Sequence, residues 1–158
     1  NNYGNLCQRI FSFIKNNCGN IVSKTANLSD SDKKLIEQTQ NLTKDLRNTM
    51  KNQNLNSYLK SVINVSFLTN KYINDEEPWK LKKTNIARMN SVLHLALDQI
   101  AKISILLNPI IPLASTKVLD ALNIKIELRN LSFLDGKNVI NSEIKIQELD
   151  ILFKKITQ

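Results

Sequence analysis

The single tryptophan of this chain, Trp79, stands beside a group of lysines between two long helical patterns. Pro78 comes directly before it and disfavours helical backbone geometry at Glu77, so we expect a corner between two helices here. An indole at such a corner can expose one face, which can stack on a nucleic-acid base while the nearby ammonium groups attract phosphate. The alternative is a tryptophan packed as a core anchor beneath a loop. The lysines are Lys80, Lys82 and Lys83.

A second group of polar side chains follows one stripe of the first predicted helix, residues 2–19. At about 100° per residue, this stripe lies along the edge of the apolar arc of the helix. Asn and Arg side chains can each make two directed hydrogen bonds to a base edge. A stripe of this kind either contacts a ligand or is only solvated. Its members are Asn5, Arg9, Ser12 and Asn16, the first two lying one helical turn apart.

Residues suited to catalysis or metal binding are few. The lone histidine, His94, has no partner for a zinc site, and we expect it to lie at the edge of the core. Cys7 and Cys18 form neither a Cys-x-x-Cys pair nor a disulfide framework, which favours reduced thiols in a cytosol. No acid–base or nucleophile constellation is visible, and no apolar run is long enough to span a membrane. The pattern therefore disfavours an independent enzyme and a membrane protein.

The charge of the chain favours a polyanionic partner. Its 158 residues carry a formal net charge of +8 at pH 7, a balance typical of proteins that bind nucleic acid or a membrane surface. The mean hydropathy of −0.25 is ordinary for a globular domain. Only 3 glycines and 3 prolines are present, which favours long helices over many short strands.

The candidate residues must be positioned by helices, and we expect an all-α bundle of about five helices. Ser29 or Asp30 is predicted to cap the second helix, Gly19 to end the first, and Asn108-Pro109 to end the fourth. The fourth helix is apolar nearly all round, so we place it at the centre. The predicted helices are 2–19, 31–51, 55–74, 84–107 and 112–122. The bundle is expected to occupy residues 1–123, and residues 124–158 an irregular C-terminal extension that packs back on the same domain.

The corner and four further segments resemble the anticodon-binding helical domain of methionyl-tRNA synthetase, in the same order and over essentially the whole chain. The corner, Tyr72 through Leu81, contains a Pro-Trp motif that class I synthetases for aliphatic amino acids share more widely. Its combination with Asn5 and Arg9 points to the methionyl branch. The four other segments are Gly4-Asn5-Leu6-x-x-Arg9, Arg88 to Leu97, Leu106-Leu107-Asn108-Pro109-x-x-Pro112 and Leu152-Phe153.

This resemblance implies specific roles for the candidate residues. Trp79 would stack on an anticodon base, and Asn5 and Arg9 would hydrogen-bond to base edges, so that together they select the CAU triplet of tRNA-Met. Tyr72 either belongs to the core or joins Trp79 beside the corner. The supporting RNA contacts that we expect are Ser12, Asn16, Tyr72, Lys80, Lys82 and Lys83.

The resemblance also implies a larger parent enzyme that ligates methionine to its tRNA in the cytoplasm, using ATP with Mg²⁺. The nucleotide-binding signatures of the His-Ile-Gly-His and Lys-Met-Ser-Lys type are absent from this chain. We therefore expect an excised piece without the catalytic domain, which needs no cofactor and is inactive alone. Its expected partners are the anticodon loop of tRNA-Met and the parent's own catalytic domain, and neither a membrane nor DNA.

Two alternatives remain open from the sequence. One is the corresponding domain of a leucyl-, isoleucyl- or valyl-type class I synthetase, which would read a different anticodon. The other is a non-catalytic basic helical module for protein interaction, in which Trp79 is buried.

Overall fold

Helices dominate the computed structural model, which describes residues 2–24 and 27–153. The described residues form seven α-helices, two short 3-10 helices and one two-stranded sheet. The helices are α1 (Asn2–Cys18), α2 (Asp30–Thr43), α3 (Leu46–Lys51), α4 (Leu55–Glu76), α5 (Pro78–Thr84), α6 (Ile86–Leu107) and α7 (Pro112–Ala121). The strands are β1 (Ile21–Val22) and β2 (Ile144–Lys145), and the 3-10 helices are Ile126–Leu128 and Leu131–Asp135.

The central helix is α6, as its nearly continuous apolar surface predicts. It packs against α1, α4, α5 and α7, and a helix surrounded in this way needs apolar residues on every side. Its first residue, Ile86, is an exception and is exposed. Its largest fully buried apolar side chains are Leu93, Leu97, Ile100, Ile103 and Leu106.

The helix ends follow the signals in the sequence. The Ser29 hydroxyl accepts a hydrogen bond from the Asp32 backbone N–H, and the Asp32 carboxylate accepts one from the Ser29 backbone N–H, so the two form a capping box at the start of α2. Gly19 follows α1 with φ +59°, the left-handed conformation that ends many helices. Pro112 is the first residue of α7. An additional cap, the Asn85 side chain at the start of α6, was not predicted.

Two predicted element boundaries are wrong. The expected helix 31–51 is interrupted at Lys44 and Asp45, and it continues as α3. After this turn Leu46 is buried in the core, whereas Met50 of the same helix is 42% exposed. The corner expected at residues 75–83 contains the short helix α5. About five helices therefore become seven in the described chain.

The C-terminal residues pack back on the bundle through small contacts. Strand β2 pairs antiparallel with β1, with Val22 opposite Ile144. The carboxylate of Asp98 on α6 accepts hydrogen bonds from the backbone N–H groups of Val139 and Ile140, at 2.8 and 2.9 Å. Five buried apolar residues of this segment join the core: Ile124, Phe133, Ile140, Ile144 and Ile146. The irregular tail is confirmed, whereas the division at residue 123 stays a prediction.

Candidate nucleic-acid interface

A left-handed residue followed by a proline forms the corner that carries Trp79. Glu77 lies between α4 and α5 with φ +48° and ψ +60°, a conformation that few residues other than glycine adopt. Pro78 is buried at the first position of α5, where the missing N–H breaks no helical hydrogen bond. The break predicted at Glu77 is confirmed. It places Trp79 in the first turn of a short helix.

Trp79 lies against Arg9 of α1. The guanidinium carbon Cζ of Arg9 is 4.9 Å from the centroid of the indole ring, within the range of a cation–π contact. Trp79 is 39% exposed, so the alternative in which it is a buried core anchor is contradicted. Two residues that lie far apart in the sequence thus form one surface with an aromatic ring and a set of hydrogen-bond donors.

The stripe on α1 continues this surface. Asn5, Ser12 and Asn16 are exposed, and none of their side chains has a hydrogen-bond partner within residues 2–24 and 27–153. Each keeps its donor and acceptor groups available to a ligand. The four-residue spacing places Asn5 one turn from Arg9, and Asn5 lies on the N-terminal side of it.

The three lysines of the corner differ in their surroundings. Lys80 forms an exposed ion pair with Glu77, with Nζ 2.8 Å from Oε2. The Lys82 Nζ donates a hydrogen bond to Asn17 Oδ1 at 2.7 Å and so links α5 to the end of α1. Lys83 is exposed and has no ion-pair partner in the described chain. Lys83 is therefore the lysine of this group most available to phosphate.

Tyr72 does not belong to the exposed surface, and its burial argues against the predicted supporting contact with RNA. The residue is only 6% exposed, and its hydroxyl donates a hydrogen bond to Asp32 Oδ1. Burial, followed by the hydrogen bond to the Asp32 carboxylate, raises the pKa of Tyr72 above its usual value. The tyrosine is a core residue, which was the alternative open from the sequence.

A buried ionic cluster formed by Arg88 and Asp32 was not predicted from the sequence. Arg88 of α6 donates to both carboxylate oxygens of Asp32, at 2.6 and 2.8 Å, and Asp32 is fully buried. Burial raises the pKa of Asp32, but the hydrogen bonds from Arg88, Tyr72 and the Ser29 backbone outweigh it and leave the pKa below its usual value. Nothing in the sequence identified Arg88 as the partner of Asp32.

Two further titratable side chains, His94 and Cys7, are buried. The His94 ring nitrogen Nε2 lies 2.8 Å from the Ser142 carbonyl oxygen, and the residue is buried at the core edge as expected. Burial raises the pKa of the Cys7 thiol to about 12, so it stays protonated at neutral pH. The described ranges contain no His, Cys, Asp or Glu cluster that could hold a metal ion. None of their helices is both long and apolar enough to cross a bilayer.

Comparison with protein families identifies the domain. The family described as the anticodon binding domain of methionyl tRNA ligase matches residues 22–158. The match begins after α1, so Asn5 and Arg9 lie outside it. The methionine–tRNA ligase of Brucella suis is 33% identical over 132 residues, which cover 84% of this chain and 26% of the relative. The methionine–tRNA ligase of Rickettsia felis is 31% identical over 158 residues, which cover 98% of this chain and 31% of the relative.

Solved structures agree on the fold. The methionyl-tRNA synthetase of Mycobacterium tuberculosis, bound by methionyl-adenylate, superposes with a TM-score of 0.88 at 23% identity, over 98% of this chain and 31% of that protein. Its apo form superposes with a TM-score of 0.89 at 22% identity, over 100% of this chain and 32% of that protein. The chain thus spans about a third or less of the proteins it matches. It belongs to the family of anticodon-binding domains of methionyl-tRNA ligases.

Proposed function

We propose that this domain binds the anticodon loop of tRNA-Met and selects its CAU triplet. The observation that carries the proposal is the contact between Arg9 and the exposed ring of Trp79. Proteins read RNA sequence chiefly in single-stranded loops, where splayed bases stack on aromatic faces and hydrogen-bond through their edges. The Arg9–Trp79 surface offers an aromatic face for stacking and hydrogen-bond donors for base edges, next to each other.

Each exposed residue has a distinct part in this proposal. Trp79 stacks on one base, and Asn5 and Arg9 hydrogen-bond to base edges and so supply discrimination between bases. Ser12 and Asn16 extend the polar stripe along α1. Lys80, Lys82 and Lys83 attract the phosphates of the loop. The buried Tyr72 has no direct contact with RNA.

The proposal extends to a parent enzyme. In it, this domain docks with the parent's own catalytic domain, which ligates methionine to tRNA-Met using ATP and Mg²⁺ in the cytoplasm. The domain alone holds no cofactor and activates no amino acid. Support for the parent activity comes from the ligases that the chain resembles over its length.

A titration with RNA stem-loops tests anticodon selection. The loops share one stem and differ only in the triplet, CAU against a substituted one, and each carries a fluorescent label for anisotropy. We expect the CAU loop to bind more tightly. Equal affinity for both loops contradicts the proposal of CAU selection.

Trp79→Ala tests the stacking contact in the same assay. Base–aromatic stacking contributes ~1–3 kcal/mol, so we expect the dissociation constant for the CAU loop to rise about fivefold or more, while circular dichroism shows an unchanged fold. Phe153→Ala is the matched control, because Phe153 is 38% exposed against 39% for Trp79 and lies beside α7. Asn5→Ala and Arg9→Ala should chiefly reduce the preference for CAU. An unchanged affinity of Trp79→Ala contradicts the stacking role.

A further inference from the structure

A second ion pair of Arg88, with Glu76, connects the chain just before α5 to the chain just after it. Glu76 is the last residue of α4, and its Oε2 lies 2.7 Å from an Arg88 terminal guanidinium nitrogen and 3.1 Å from Nε. Arg88 lies in the first turn of α6. The contact therefore joins the two ends of the segment that contains Trp79, and the whole of α5 lies between them.

The Arg88 end of this contact is fixed by the core. Arg88 retains its paired hydrogen bonds to Asp32 of α2, and its side chain is only 18% exposed. The Glu76 side chain is also only 18% exposed. Its second carboxylate oxygen accepts a hydrogen bond from the Ser31 hydroxyl. Buried charges with several partners are held in one geometry far more firmly than exposed pairs.

The opposite end of α5 has its own link, the hydrogen bond from Lys82 to Asn17 of α1. Helix α5 has only seven residues, and a helix this short is not stable without tertiary contacts. Its orientation, and with it the distance between Trp79 and Arg9, depends on its packing against α6 and on these polar contacts around it.

We propose that Glu76 and Arg88 are positioning residues for the RNA-binding surface, because their ion pair holds α5 so that Trp79 stays stacked on Arg9. The effect on the indole follows from the fold alone. The effect on RNA affinity rests on the proposed function.

Glu76→Ala tests the inference, because it removes this pair and leaves Asp32 and Arg88 together. Trp79 is the only tryptophan, so its emission and steady-state anisotropy report directly on the corner. We expect lower anisotropy, a shifted emission maximum and an affinity for the CAU stem-loop reduced about threefold to tenfold, a part of the contribution of one stacked base. Glu76→Gln, which keeps the hydrogen-bond acceptor, should restore most of both signals.

Asp120→Ala is the matched control for the loss of a carboxylate beside a buried arginine. The side chain of its partner Arg129 is 17% exposed, and the nitrogen–oxygen distance of the pair is 2.6 Å. Arg129 also keeps one other acceptor, the Ile124 carbonyl oxygen. We expect this variant to leave the Trp79 signals and RNA affinity unchanged. A merely structural role would lower the unfolding temperature in both variants without changing the fluorescence of the folded proteins.

Two outcomes overturn the inference. One is that the folded Glu76→Ala protein has the same Trp79 anisotropy and emission as the parent chain. The other is that Asp120→Ala changes these signals as much as Glu76→Ala does. If the parent chain binds no stem-loop, the proposed function fails, but the fluorescence comparison still decides the role of the pair. If Glu76→Ala is unfolded, the same comparison is made with Glu76→Asp, whose shorter side chain withdraws the carboxylate from Arg88, and unchanged signals there overturn the inference.

Discussion

Arg9 covers one face of the Trp79 indole in the free domain. In the RNA complex that we propose, a base stacks on the other face, and the guanidinium supports the ring from behind. None of the Arg9 N–H groups has an acceptor within the described ranges, so these donors are free for a base edge. One residue therefore contributes both to the stacking surface and to hydrogen bonding, which lysine could not reproduce.

Asp32 is the residue on which the ionic cluster depends, and Asp32→Ala should destabilise the fold. The substitution leaves Arg88 largely buried without its main partner, a change that costs about 3–5 kcal/mol in comparable pairs. Chemical denaturation at pH 7 measures it. Asp135→Ala is the control, because its pair with Arg47 is exposed and screening by solvent leaves such a pair little effect on stability.

The same residue predicts a pH dependence of stability. The folded protein holds the pKa of Asp32 below its usual value, so the unfolded state binds the proton more tightly. The contribution of Asp32 is therefore complete above about pH 4 and is lost as the pH falls through the lowered pKa. The difference in unfolding free energy between the parent chain and Asp32→Ala should shrink from pH 5 to pH 2. A constant difference across that range contradicts this interpretation.

At the scale of elements, the functional surface depends on a short helix held between two long ones. Helices α4 and α6 pack along each other, and α5 turns the chain between them. The turn requires Glu77 to adopt a left-handed conformation directly before a proline. The geometry of the Trp79 corner thus depends on one unfavourable backbone position that the surrounding contacts enforce.

Substitutions at Glu77 measure that backbone cost. Glycine adopts positive φ without a steric penalty, whereas alanine does not, so Glu77→Gly should be more stable than Glu77→Ala by about 1 kcal/mol. Both variants lose the exposed pair with Lys80, which therefore cancels in the comparison. Thermal unfolding of the two variants gives the difference. If Glu77→Gly proved less stable than Glu77→Ala, the backbone at Glu77 would not be strained.

The elements that could be predicted are those with strong local signals. The apolar periodicity of α6 and the stop at Asn108-Pro109 specify a helix wherever it packs. The break at Lys44 and Asp45 has no glycine or proline to signal it, and two-residue strands such as β1 and β2 depend on a partner more than a hundred residues away. Such features depend on tertiary packing, which a local pattern does not contain.

The features of the candidate site also fall into those that could be predicted from the sequence and those that could not. The exposure of Trp79 and its nearness to Arg9 followed from a resemblance to a family. The partners of Asp32 and of Lys82 did not, because arginines, lysines and their acceptors are numerous in the sequence and only the helix packing selects among them. The position of Tyr72 stayed open for a related reason: a tyrosine on an amphipathic helix can face the core or the corner.

At the scale of the whole molecule, the cations behind the net charge of +8 are not equally available to a partner. Several cations are neutralised by nearby carboxylates, among them Lys71, Lys102 and Arg129. Within residues 2–24 and 27–153, Arg9, Lys82 and Lys83 have no carboxylate partner. The unpaired charge therefore includes the residues around Trp79, where the phosphates of a bound loop would lie.

Salt dependence of RNA binding tests this distribution. Each lysine that neutralises a phosphate of single-stranded RNA contributes about 0.7 to the slope of log affinity against log salt concentration. We expect Lys83→Ala to reduce the slope by about that amount for every loop sequence. Lys51→Ala is the control, since Lys51 is exposed at the end of α3. Helix α3 lines a cavity together with Tyr58 in the first turn of α4, whereas the corner follows the last residue of α4. Both variants lower the net charge equally, so equal slopes would mean that overall charge, and not a site at Trp79, attracts the RNA.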